Sequence, residues 1–141
     1  MIDHIADGEP DDYMGRYAAL VAEFPQTGEF GEIHGLAVVT VDRPADLPAA
    51  IGWTSSAFAK QPHEHVHYLR AWEDRFDAVP IAIGERELHL CARRLPAPGD
   101  AAKVAQELYL YNSYLISLGE ETVEELAEQT VSTPYWRFWW N

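Results

Sequence analysis

Apolar residues recur at helical spacing after Asp11 and Asp12, at Tyr13, Tyr17, Leu20, Val21 and Phe24. This predicts an N-terminal amphipathic helix with an aspartate at its cap. Pro25 ends it, and the stretch to Gly31 reads as a loop. From Gly35 to Val41 the period changes. Leu36, Val38 and Thr40 would share one face and Ala37, Val39 and Val41 the other, so a strand buried on both faces is expected. Pro44 to Ile51 suits a short helix closed by Gly52. Pro62 fits the first turn of a helix that runs to about Phe76, with Val66, Leu69, Trp72 and Phe76 on its apolar stripe.

The next pattern is a hairpin. Val79, Ile81 and Ile83 alternate, Gly84-Glu85-Arg86 makes a tight connection, and Glu87 to Leu95 returns. Leu88, Leu90 and Ala92 face one way, and His89, Cys91 and Arg93 the other. Pro96-Ala97-Pro98-Gly99 breaks the pattern. Asp100 caps a helix with Val104, Leu108 and Tyr111 inward. Residues 112–119 fit no single element. Glu120 to Thr130 is a short acidic helix with Val123, Leu126 and Ala127 inward. Pro134 ends it, and Tyr135 to Trp140 reads as a final strand. The expected fold class is α+β. The order of elements suggests a ferredoxin-like, split βαβ antiparallel sheet with helices on one face. The N-terminal helix and an extra helix before the last strand would be additions. Residues 1–12 read as a polar tail and 13–141 as a single domain, since 141 residues suit one.

Composition narrows the function classes. The formal net charge is −13, from 23 acidic and 10 basic residues, so a phosphate backbone would be repelled and nucleic acid is not an expected partner. Cys91 is the only cysteine, which rules out an internal disulfide. There is no membrane-length apolar run, and the acidic start lacks the pattern of a secretory signal. The expectation is a cytoplasmic protein.

Several segments together resemble a known family. They are Ile51-Gly52-Trp53, Leu69-Arg70-Ala71-Trp72-Glu73-Asp74-Arg75-Phe76, Glu87-Leu88-His89-Leu90 and the ending Tyr135-Trp136-Arg137-Phe138-Trp139-Trp140-Asn141. They are similar to the bacterial domain of unknown function 4253 family. That family similarly has a Gly-Trp segment, a Leu-Arg-x-Trp-Glu-x-Arg-Phe helix, a strand pair before Pro-rich punctuation, and a Trp-x-Phe-Trp-Trp-Asp ending. The resemblance covers about residues 34–141, and Glu23 to Gly28 more loosely. It implies a fold and an extent but no known activity. Two departures stand out. Asn141 replaces the family's terminal Asp, and a Cys-Pro-Asp segment is replaced around Tyr111-Asn112-Ser113-Tyr114.

Three constellations could carry chemistry. His63-Glu64-His65-Val66-His67 matches H-E-x-x-H, in which two histidines one turn apart hold zinc and the glutamate acts as base. Here His63, His67, Arg70 and Asp74 form a stripe roughly opposite Leu69, Trp72 and Phe76, so the pair is expected to face water. The second is the sheet face with His89, Cys91, Arg93, Tyr135, Arg137 and Trp139, suited to a planar or anionic ligand or a partner's anchor residue if uncovered. Covered, it would be a second core surface. Cys91 beside His89 has the residue types of a nucleophile and base, but nothing marks an oxyanion hole. The third is acidic: the tail with Asp3, Asp7, Glu9, Asp11 and Asp12, and the last helix with Glu120, Glu121, Glu124, Glu125 and Glu128. Such a field either only solvates the chain or steers a basic partner.

The expected function is therefore a small acidic interaction module, immunity- or inhibitor-like, with a basic protein partner, no cofactor and no catalysis. The alternatives are a small-ligand binder or enzyme at the sheet face, and a zinc hydrolase through His63, Glu64 and His67.

Overall fold

Proline and glycine punctuation sets the first described helix. In the computed structural model, which describes residues 37–55, 60–117 and 122–140, Pro44–Asp46 form a single 3-10 turn that continues into α1 (Leu47–Ile51). Gly52 closes α1 in the left-handed region at φ 67°, which a side-chain-bearing residue adopts only with strain. The chain divides into two units, Met1–Thr40 and Val41–Asn141. Everything below concerns the second. The expected N-terminal helix and the polar tail lie outside the described residues. Residues 37–41, expected as a strand, carry neither helix nor strand.

α2 (Pro62–Phe76) starts with proline at its first position and a glutamate three residues after its cap. The Glu64 carboxylate accepts the Gln61 N–H at 2.7 Å. His65, Leu69, Trp72 and Phe76 are its buried residues. Asp77 ends it at φ 51°, and Arg93 meets the Asp77 carboxylate at 3.2 Å. β1 (Ala78–Ile83) and β2 (Glu87–Ala92) form the expected hairpin, and β3 (Tyr135–Trp139) pairs antiparallel with β2. The sheet order is β1-β2-β3. Between Pro80 and Ala82 the register slips by one residue, a bulge on an edge strand where proline removes a ladder donor.

Between β2 and β3 the chain makes α3 (Ala101–Tyr111), α4 (Tyr114–Ser117) and α5 (Val123–Ser132). Thr122 and Glu125 form a reciprocal capping box at the start of α5. Asn112, buried just past α3, donates its amide to the Trp139 carbonyl at 2.7 Å and accepts the Tyr114 N–H at 2.9 Å.

The unit is thus α+β, with a three-stranded antiparallel sheet. The split βαβ order does not appear among the described residues. That plan would insert 35–41 between β2 and β3, and here Leu88 faces Phe138 and Leu90 faces Trp136 directly. α2 and α3 pack against the Phe138 face of the sheet. Trp72 stacks on Phe138 with centroids 5.7 Å apart and planes 4° apart, and Tyr111 meets Phe138 edge-on at 5.0 Å. No helix among the described residues is long and apolar enough to cross a membrane.

Charged braces hold α1 and α3 to α2. Glu73 accepts the Ala45 N–H at 2.8 Å and the Arg43 guanidinium at 3.1 Å. Arg70 binds Asp46 at 2.7 Å. Glu107 of α3 receives Arg75 at 2.6 Å and the Trp72 indole N–H at 3.3 Å. Glu73→Ala leaves the buried Ala45 N–H without its acceptor and should cost about 1–3 kcal/mol in urea unfolding. Asp74→Ala, which removes a carboxylate that is 66% exposed, should leave the unfolding curve close to wild type.

Candidate functional site

The buried stripe of α2 begins one residue earlier than Val66. His65, Leu69, Trp72 and Phe76 are spaced by four, three and four residues, which brings them into one narrow line. Val66 is only half-buried. This places an imidazole inside an aromatic nest. The Trp53 ring lies 4.6 Å from His65, Trp140 lies 5.5 Å away and Tyr111 5.6 Å. Trp53 is held there by its indole N–H, which donates to the Gly84 carbonyl at 2.7 Å.

The chemistry fixes the proton arrangement. His65 Nδ1 and the Tyr111 hydroxyl are 2.6 Å apart. Burial, reinforced by Tyr68, raises the Tyr111 hydroxyl far above its usual pKa, so it keeps its proton and donates. Burial, then the charge on Lys60, lowers the His65 pKa from 6.5 to about 4. His65 is therefore neutral at pH 7, with Nδ1 accepting and the hydrogen on Nε2. Nε2 has no hydrogen-bond partner among the described residues, although the nearby Thr54 and Lys60 carbonyls favour the proton slightly. Ser55 beside it is buried, with φ at 63°.

The H-E-x-x-H motif divides as the helix geometry requires. His63 and His67 are exposed and His65 is buried between them. Glu64, the base in the protease pattern, is the capping residue of α2. Among the described residues no group of three His, Cys, Asp or Glu side chains converges to hold a metal ion.

The residues predicted to line the sheet face divide too. His89 and Arg137 are cross-strand partners and meet on one carboxylate, Glu87, at 3.2 and 3.0 Å. Burial alone would raise the Glu87 carboxyl, but the hydrogen bonds from His89 and Arg137 outweigh it and hold its pKa below the ordinary value. Sequence reading missed Glu87, although it stands two residues from His89 on the same face. Arg137 also lies 5.9 Å from the Trp139 ring. Cys91 pairs with Tyr135 across the strands, and His89 and Cys91 are each only 5% exposed. The centre of this face is therefore buried. Arg93 is not part of it. β2 ends at Ala92, and Arg93 turns back to Asp77.

On α5, Glu124, Glu125 and Glu128 are exposed, while Leu126 and Thr130 are buried. Glu120 and Glu121 lie outside the described residues, as does Asn141. None of the ion pairs of the described residues involves α5.

The chain matches the family model described as a domain of unknown function (DUF4253) over residues 35–141, more than half of its length, and so belongs to that family. No curated protein and no solved structure matches it.

Two variants check the geometry. Tyr111→Phe strips the buried His65 Nδ1 of its donor and should destabilise by about 1–3 kcal/mol in chemical denaturation. His63→Ala with His67→Ala touches only solvated rings and should move stability by less than about 0.5 kcal/mol.

Proposed function

We propose that this member of the DUF4253 family is a non-catalytic, acidic interaction module that engages a basic protein partner through the outer face of α5, in an immunity- or inhibitor-like role. The observation that carries the reading is a contrast in charge pairing. In the frame around α2 and the sheet, Asp46, Glu73, Asp74, Asp77, Glu87 and Glu107 are each paired with an arginine. Among the described residues, Glu124, Glu125 and Glu128 have no such cation. Glu124 and Glu128 stand one helical turn apart, where like charges repel and cost a few tenths of a kcal/mol. The net charge of −13 extends that field and would speed encounter with a cationic surface.

The sheet-face alternative has less support. His89 and Cys91 are buried, while Arg137 and Arg93 are engaged by Glu87 and Asp77. The lone Cys91 fits a cytoplasmic setting.

The test is a pull-down from native lysate with wild type and with the E124Q/E125Q/E128Q variant, at low and high salt. Glutamine at 125 preserves the capping box, so the helix should persist. The expected result is a basic protein retained by wild type at low salt, lost at high salt and lost by the variant. Equal retention by wild type and variant, or no basic protein at either salt level, overturns the reading.

A further inference from the structure

The surroundings of the buried His65–Tyr111 pair suggest a device. His65 is fully buried. Its Nδ1 takes the Tyr111 hydroxyl at 2.6 Å, and Nε2 has no hydrogen-bond partner among the described residues. Among the described residues, the charged and titratable groups that face it come from three places. Before α2, Lys60 brings a cation, with Nζ 6.0 Å from the Tyr111 ring centre. From α2 itself come Glu64, whose carboxylate is held by the Gln61 N–H, and Tyr68, 5.0 Å from the Tyr111 ring. From α3 comes Tyr111. Trp53 and Trp140, which complete the nest, carry no charge.

We propose that His65 and Tyr111 form an acid-sensitive latch, in which uptake of one proton by His65 frees Trp53 and Trp140 while the core of α2, α3 and the sheet stays folded. Protonation places a hydrogen on Nδ1, so the Tyr111 hydroxyl can no longer donate to it. The hydroxyl must turn and accept, which leaves its own hydrogen without a partner. Among the described residues Nε2–H gains no close partner either, the Thr54 and Lys60 carbonyls favouring the proton only slightly, and the new cation lies near Lys60. A buried charge so poorly compensated is costly, and exposing the ring to water relieves it. Release can stay local because Trp72, Phe138 and Trp136 pack on one another without His65.

The direction follows from the proton count. Between pH 6.5 and about 4 the released form binds the proton and the latched form does not. The latch is complete above pH 6.5 and weakens as the pH falls, by up to about tenfold per pH unit.

Tryptophan emission and far-ultraviolet circular dichroism, followed together across that window, test the latch. Wild type should show red-shifted, more quenchable emission with an unchanged backbone signal. The double variant His65→Phe/Tyr111→Phe, which replaces both polar partners with rings of similar shape, should show no shift. Unmoved wild-type emission, the same shift in the double variant, or a shift that coincides with loss of the backbone signal overturns the proposal. If the double variant does not fold, the wild-type imidazole resonances decide. A depressed His65 midpoint that tracks the emission supports the latch, and a midpoint near the ordinary 6.5 overturns it.

Discussion

The second unit depends on one wedge, the Trp72 indole between the sheet and α3. It stacks on Phe138, meets Trp136 edge-on at 5.8 Å and meets Tyr111 edge-on at 5.2 Å. Each such ring contributes roughly 1.5–3 kcal/mol by burial, with about 0.5–1.5 kcal/mol more for each well-placed pair. An exposed ion pair contributes about 0–1 kcal/mol. The aromatic contacts therefore decide where α2, α3 and β3 lie. The charged braces then choose among nearby placements. Glu107 illustrates the order: it receives both Arg75 and the N–H of Trp72, so the brace forms only where the wedge has already put the ring.

The sequence displayed whatever local sterics and alternation control. The hairpin, the Gly52 stop, the aromatic last strand and the outward turn of His63 and His67 all follow from residue type and period. What it hid depends on contacts distant in the chain. Gly35 to Val41 has the composition of a strand, yet its described residues do not form one, and β2 has β1 on one side and β3 on the other. Arg93 keeps the alternation of β2 but lies just past its last residue, where its guanidinium meets Asp77, sixteen residues earlier. Asn112 opens a stretch, 112–119, that fits no single element by sequence. Its amide is the tie from the end of α3 to the end of β3.

His65 was hidden for another reason. Its spacing to Leu69, Trp72 and Phe76 was legible, but an imidazole scores as polar and the apolar Val66 beside it drew the stripe to itself. Only Tyr111, forty-six residues away, makes burial of that ring tolerable. A polar residue on an apolar line is informative when a second buried polar group can reach it, and that condition lies outside any local window.

The same logic bears on the resemblance that located the family. In Leu69-Arg70-Ala71-Trp72-Glu73-Asp74-Arg75-Phe76, the leucine, tryptophan and phenylalanine are core, and the arginines and Glu73 each brace a neighbouring element. Trp136, Phe138 and Trp140 of the ending are core as well, and Gly52-Trp53 supplies a left-handed stop and a wall of the nest. The recognisable segments are thus the scaffold. A scaffold residue already committed to an internal partner has little capacity left for an external one, because recruiting it would break the brace. Glu87, which holds both His89 and Arg137, is committed in this way, whereas Glu124 and Glu128 of α5 have no ion-pair partner among the described residues.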